Sequence, residues 1–216
     1  MTLFSIRTAL ALCLAASLAA CGGGSDKATF VVGGNVTGLA YTGLKLKTGD
    51  QVLAIVPVFV GTTPQTVPYA FPKTIDYGTA YTLTVEESPK KQNCGVYPFG
   101  TDNKNVDSAG HTATISVLVE CATKPYSLGG KVSGLTGTLV LINGSVDTVS
   151  VAAGATSFKF PTPVLVDAAY GVSVLSAPAD QTCTVSNGTG IMPNDNMIDT
   201  SANAVTVSCV TKKAPS

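Results

Sequence analysis

Apolar and polar residues alternate in short runs along most of the chain. Tyr81, Leu83 and Val85 alternate with Thr82 and Thr84, and Tyr170, Val172 and Val174 alternate with Gly171 and Ser173. A period of two with one polar face predicts half-buried strands. The runs are rich in Val, Thr, Tyr and Phe and are bounded by Gly, Pro, Asn or Asp, which is strand and turn chemistry. Leu139-Val140-Leu141-Ile142 is a continuous apolar run that meets the turn pair Asn143-Gly144, a hairpin signal. Leu44-Lys45-Leu46-Lys47 meets the turn Thr48-Gly49-Asp50 in the same way, and Val36-Thr37 runs to Gly38. No window after residue 30 sustains a helical period.

The pattern occurs twice. Val32-Gly33-Gly34-Asn35-Val36-Thr37-Gly38-Leu39 returns as Leu128-Gly129-Gly130-Lys131-Val132-Ser133-Gly134-Leu135, 96 residues later. Tyr69-Ala70-Phe71-Pro72 returns as Phe158-Lys159-Phe160-Pro161, 89 residues later, as do the Tyr81 and Tyr170 strands and Cys94 and Cys183. The strands closing at Cys121 and Cys209 match as well. Several matches in one order indicate two copies of one module. The copies span 30–122 and 126–212, with a linker at 123–125 and a tail at 213–216. The first copy carries about seven extra residues between its Gly-Leu and its Phe-Pro. Seven or so short strands per copy predict two tandem β-sandwiches and an all-β fold.

The six cysteines follow the repeat. Cys13 and Cys21 lie in the N-terminal segment, and each module owns two of the other four, at spacings of 27 and 26 residues. Four cysteines allow three connectivities; the repeat selects Cys94–Cys121 and Cys183–Cys209. A loop of that size is worth about 3–4 kcal/mol in the chain-entropy model. The alternative is a Cys₄ zinc site, but zinc ligands usually come as close pairs such as Cys-x₂-Cys, and none occurs here.

Composition narrows the function. Thirteen Lys+Arg balance thirteen Asp+Glu, and charged residues make up only 12%. That disfavours a nucleic-acid surface, which needs clustered positive charge. Hydrophobic residues at 45% can build a sizeable core. One His and no Trp leave few parts for a His-based metal site or a Trp sugar platform. The expectation is a chain without cofactor, metal or catalytic residues.

The N-terminus reads as a secretory signal. Arg7 precedes the apolar run Ala9-Leu10-Ala11-Leu12-Cys13-Leu14-Ala15-Ala16, which is short for a membrane span. The ending Leu18-Ala19-Ala20-Cys21 resembles the lipobox of bacterial lipoproteins. That resemblance implies removal of residues 1–20 and acylation of Cys21. Residues 21–29, with Gly22-Gly23-Gly24-Ser25-Asp26-Lys27, then form a flexible tether. One acyl chain binds a membrane only marginally, whereas two or three on one residue hold firmly. In Gram-negative lipoproteins an Asp after the lipidated Cys tends to retain the protein at the inner membrane; Gly22 stands there, which favours the outer membrane.

The module motif Gly-Gly-x-Val-x-Gly-Leu, Phe-x-Phe, Tyr-x-Val-x-Val, Cys-x-Val and a closing Val-x-Val-x-Cys resembles the repeated immunoglobulin-like or transthyretin-like modules of bacterial envelope proteins. Cys183-Thr184-Val185 fits it best, and Cys94-Gly95-Val96 is the diverged copy. The resemblance covers nearly all of 30–212 and implies structural motifs only. It departs from antibody domains in lacking a Trp and in its short Cys spacing.

Several polar groups could carry chemistry. Asp107, Ser108 and His111 contain the parts of a triad, but within five positions of one loop they do not normally converge. Asp102, Asn103, Asn105 and Asp107, and likewise Asn194, Asp195, Asn196 and Asp199, are oxygen-rich stretches compatible with Ca²⁺, but they lack the order of a known calcium loop and also suit turns. Glu86 and Glu87 could form an acid/base pair, although neighbours on a strand are expected on opposite faces. Tyr41, Tyr69, Tyr77, Tyr97 and Tyr126, together with the seven-residue insertion, could line a binding edge, although tyrosines in half-buried strands serve by default in core or rim packing. Asn143-Gly144-Ser145 and Asn187-Gly188-Thr189 match glycosylation sequons but read as turns.

The resulting expectation is an envelope lipoprotein held by lipid on Cys21, serving structure, display or recognition. The alternative is a binding module for glycan or another envelope protein, with a clustered patch on one face. A hydrolase would instead need a cleft with convergent polar groups.

Overall fold

The computed structural model describes residues 27–97, 104–198 and 200–213. Cys21, Asp102, Asn103 and Asp199 lie outside these residues. All regular structure among the described residues is β. The first module contributes β1 (Val32–Thr37), β2 (Leu44–Thr48), β3 (Gln51–Ile55), β4 (Val67–Ala70), β5 (Ala80–Glu87), β6 (Gln92–Val96), β7 (Lys104–Ser108) and β8 (Ile115–Thr123). The second contributes β9 (Gly129–Ser133), β10 (Leu139–Asn143), β11 (Asp147–Val151), β12 (Ser157–Lys159), β13 (Ala169–Ser176), β14 (Gln181–Ser186), β15 (Thr189–Ile191) and β16 (Val205–Thr211).

The two sets repeat strand for strand. One sheet of the first module has the order β6-β8-β1-β4 and the other β7-β5-β2-β3. The second module shows β14-β16-β9-β12 and β15-β13-β10-β11. Each copy therefore has eight strands in two four-stranded sheets rather than seven or so. Both are β-sandwiches, because the inward residues of the two sheets meet in one core. Leu44, Leu46, Tyr81 and Leu83 of one sheet pack with Val32, Val36, Val117 and Val119 of the other. Leu139, Leu141 and Val172 pack with Val132, Val205 and Val207 in the second copy. A short pairing at the entrance repeats as well: Thr29–Phe30 lies against Ile75–Asp76, and Pro125–Tyr126 against Val164–Leu165.

Alternation explains the elements. In β2, Leu44, Leu46 and Thr48 point inward while Lys45 and Lys47 face out. The Phe-Pro motif supplies the largest core side chains, Phe71 and Phe160, each 1% exposed. Phe71 meets Tyr69 edge-on at 6.2 Å, and Phe160 meets Phe158 at 5.8 Å, the favoured geometry of aromatic pairs. The buried Tyr69 hydroxyl donates to the Val117 carbonyl at 2.8 Å, so its burial leaves no orphan donor.

The first strand of each module lies parallel to the last. Val32–Thr37 runs beside Ile115–Glu120, and Gly130–Ser133 beside Val205–Ser208. The repeated glycines make this possible. A Cβ at Gly34 or Gly130 would overlap backbone of Val117 or Val205. Gly38 and Gly134 end their strands at φ +71° and +70°, against the carbonyls of Cys121 and Cys209, a left-handed conformation that costs other residues energy.

Both bridges expected from the repeat are present: Cys94–Cys121 and Cys183–Cys209. They join directly opposed residues of β6 and β8, and of β14 and β16. All four thiols are consumed in this way, which leaves none for zinc.

One buried glutamine closes each module. Gln92 and Gln181 are each 1% exposed. Gln92 Oε1 accepts from the Ala40 and Tyr41 amides at 2.8 and 3.1 Å, and its Nε2 donates to the Gly38 carbonyl at 2.7 Å. Gln181 accepts from Thr136 N at 2.9 Å and donates to the Gly134 carbonyl at 2.6 Å. Each satisfies backbone groups that the left-handed glycine turns away from the ladder. Replacing Gln181 by Leu orphans those groups and is expected to lower stability by about 2–4 kcal/mol, measured by urea denaturation with both disulfides intact.

Candidate functional site

The polar side chains singled out in the sequence disperse over the molecule. Asp107 and His111 do meet, with Nδ1 and Oδ1 2.7 Å apart. The same oxygen accepts from the Ser108 amide at 2.7 Å, and these two contacts hold the Asp107 carboxyl below its ordinary pKa, the backbone bond contributing most. His111 is 73% exposed, and Ser108 takes part through its backbone. The group is a solvated turn.

In the second oxygen-rich stretch the described side chains are engaged locally. Asn194 Oδ1 accepts from the Tyr126 hydroxyl at 2.9 Å, Asn196 Oδ1 from Ser127 N at 2.8 Å, and Asp195 Oδ1 from Asn196 N at 2.7 Å. These bonds fasten the loop to the start of the second module. Among the described residues, no group of three or more His, Cys, Asp and Glu is placed to hold a metal ion.

Glu86 and Glu87 correct the expectation of opposite faces. Lys45 pairs with Glu87 but Leu46 pairs with Val85, so Glu86 is the extra residue of a β-bulge. Both carboxylates therefore reach the outer face, Glu87 to Lys45 at 2.7 Å and Glu86 to Lys47 at 3.4 Å. The bulge recurs in the second module between Val140 and Leu141. Of the two sequon asparagines, Asn143 ends β10 and Asn187 lies in the bend between β14 and β15, at φ +55°.

The tyrosines form no common edge. Tyr69 is core, and burial pushes its phenol well above the ordinary tyrosine pKa. Tyr126 binds Asn194, while Tyr77 and Tyr97 are exposed. Tyr41 takes the role that links the two modules. Its hydroxyl donates to Asp167 Oδ2 at 2.9 Å. Lys91 Nζ donates to both oxygens of the same carboxylate, at 2.9 and 2.7 Å, and lies 5.4 Å from the Tyr41 ring centre. Tyr41 precedes β2 and Lys91 precedes β6, so both project from the end of the first module that faces the second. Lys91, then Tyr41, lower the Asp167 pKa, and Asp167 raises that of Lys91.

Asp167 sits at φ +62°. The matching residue of the first module is Gly78, at φ +77°. The turn demands a left-handed residue in both copies, and the second fills it with a carboxylate that reaches its neighbour. Asp tolerates this conformation better than most residues but less readily than Gly. Sequence reading missed Asp167 and Lys91, together with Gln92 and Gln181. Gln was visible as a repeated position two residues before each Cys; Asp167 was visible as a departure from a glycine in the repeat.

The extra residues of the first copy also have a place. They form an exposed hairpin, Phe59–Val60 against Thr63–Pro64, between β3 and β4. Val56, Val58, Phe59 and Val60 are all exposed on it. At the opposite end of the same module a cleft of about 400 Å³ is lined by Thr48, Asp50, Gln51, Lys73, Tyr81 and Thr82 among others. Its polar groups bond to one another: Gln51 exchanges two hydrogen bonds with the Lys73 backbone, and Lys73 pairs with Asp50.

Neither the scan of family models nor the search of curated proteins finds a match. Solved structures do show likeness. A C-terminal fragment of the pilus adhesin SpaC from Lactobacillus rhamnosus GG is 9% identical, with 80% of this chain and 90% of that one covered and a TM-score of 0.37. The longer SpaC chain in its open conformation gives 9% identity, 80% coverage here and a TM-score of 0.34; this chain spans 29% of its length. The major pilin T3.2 of Streptococcus pyogenes gives 14% identity, 88% and 99% coverage and a TM-score of 0.23. Likeness at these scores decides nothing about function, which has to be read from the chain's own residues.

The junction has a defined pH dependence. Asp167 has a lowered pKa, so its contribution is present above the ordinary carboxylate range and fades as pH falls through the lowered value. Lys91 has a raised pKa, so its contribution holds until pH rises past that value. Asp167→Asn is expected to free the modules to reorient at neutral pH, as acid does for the unsubstituted protein. Amide ¹⁵N relaxation, which reads the tumbling of each module separately, checks this.

Proposed function

We propose that this chain is a lipid-anchored protein of the bacterial cell envelope whose two β-sandwich modules serve display or recognition without catalysis. The observation that carries this reading is the run of apolar and small residues ending in Leu18-Ala19-Ala20-Cys21, followed by a Gly/Ser tether that leads into the first module. Acylation of Cys21 and loss of residues 1–20 would fix the modules at a membrane surface. Gly22 after that cysteine favours an outer membrane.

The disulfides are consistent with export, because such bridges persist in oxidising compartments. The modules then act by presentation: crosslinked strands stiffen each sandwich, and loops and strand edges make the contacts. A second reading, recognition of another envelope protein, is favoured by the apolar hairpin at 59–64, which the second module lacks.

Intact mass of the membrane-extracted protein tests the anchor. The expected product starts at Cys21, carries acyl mass and gains four hydrogens on reduction. Cys21→Ser should release the protein from the membrane fraction. A soluble, unacylated product from the unsubstituted gene would overturn the lipoprotein reading and leave a secreted two-module binder.

A further inference from the structure

The two modules are alike in their cores and unlike at their entrance ends. In the second module the entrance carries Val166, which is 3% exposed although it belongs to neither hydrophobic core. Its neighbour Asp167 is held by Tyr41 and Lys91, so this end is turned toward the first module. In the first module the matching residue is Tyr77, which is 64% exposed. Val31, at the same entrance strand, is 45% exposed, and Phe30 is half-buried.

Tyr77 is exposed but fixed. Its amide donates to the Ala28 carbonyl at 2.8 Å. Its ring leans on Phe30, with centroids 6.4 Å apart. The ring also lies against Gly110, where a Cβ would overlap it. Gly110 is at φ +101°, a backbone conformation suited to glycine. The second module has Pro193 in the matching place. The first module is thus shaped to hold an aromatic outward at the end where the tether leaves it.

Length and chemistry indicate what lies opposite. Between Cys21 and Thr29 stand the seven residues Gly22 to Ala28, a Gly-rich composition for which the expected linker span is about 15 Å. An acylated Cys21 would keep this end of the module, on average, at about that distance from the acyl chains. A ring with an apolar body and a hydroxyl tip prefers the headgroup level of a bilayer, and Phe and Val gain by leaving water there. The nearby Asp50 carboxylate is paired with Lys73, which lowers its repulsion from anionic lipid. Among the described residues, Lys27, Asp76 and Asp107 also lie at this end.

We propose that Phe30, Val31 and Tyr77 form a foot that rests in the phospholipid headgroup layer, so that the first module stands end-on rather than drifting on its tether. The proposal rests on acylation of Cys21. Since the chain has no Trp, a single Trp reports its own surroundings. Tyr77→Trp, Val31→Trp and Val60→Trp are made separately in the acylated full chain, the last on the hairpin at the far end of the module. Each is reconstituted into phosphatidylethanolamine–phosphatidylglycerol vesicles, with and without brominated acyl chains, and the mass of each sample is taken.

The expected result is about a two-fold loss of emission for the Tyr77→Trp and Val31→Trp reporters and none for Val60→Trp. Acylated protein with no quenching at positions 31 and 77 overturns the foot and leaves the anchor intact. Equal quenching at all three positions means that the module lies flat, which also overturns end-on seating. An unacylated chain overturns the anchor and the foot together.

Discussion

The amide of one buried glutamine ties each module together. Gln92 and Gln181 reach from the start of β6 and β14 to the left-handed glycine that ends the first strand, and to the amides just beyond it. That residue is glycine on two counts: its φ is left-handed, and a Cβ would overlap the carbonyl of the last strand of the module. Close parallel pairing, the glycine turn and the glutamine are thus one constraint. Removing the side chain would leave part-buried carbonyl and amide groups of the turn without their partners. In the first module the constraint extends further. Gln92 holds the Tyr41 amide while Asp167 of the second module holds the Tyr41 hydroxyl, so one residue joins the core of one sandwich to the next.

Much of the architecture was legible because it depends on local pattern repeated at a fixed spacing. Alternation in Tyr81–Val85 placed β5, Asn143-Gly144 placed the β10–β11 hairpin, and the duplicated Cys positions selected the bridges. What escaped depends on partners distant in sequence. A period of two says which face of β1 is buried but not that its neighbour is β8, lying parallel. The bulge at Glu86 overturned the alternation rule because one unpaired residue shifts every later side chain by one face. The Tyr41–Asp167–Lys91 contact joins residues that no motif connects.

Where the two copies diverge follows the same logic. Core positions keep their size: Leu44 and Leu139, Leu46 and Leu141, Phe71 and Phe160. The ends change character. Tyr77 stands for Val166, Gly78 for Asp167, and Lys91 for Asp180. The exchange of Lys91 for Asp180 means that the far end of the second module does not repeat the surface that receives Asp167. The junction is specific to this pair of modules in this order, and the fold does not propagate by stacking further copies in the same way.

The parallel course of β1 and β8 has a mechanical meaning. Chain enters the first module at the start of β1 and leaves it at the end of β8, at opposite ends of the same sheet. A pull between those points slides the two strands past each other. Their hydrogen bonds then bear the force together instead of opening one after another, and Cys94–Cys121 fastens β8 to the strand on its other side. The second module is strung identically through β9 and β16. The tandem is therefore a pair of shear clamps in series.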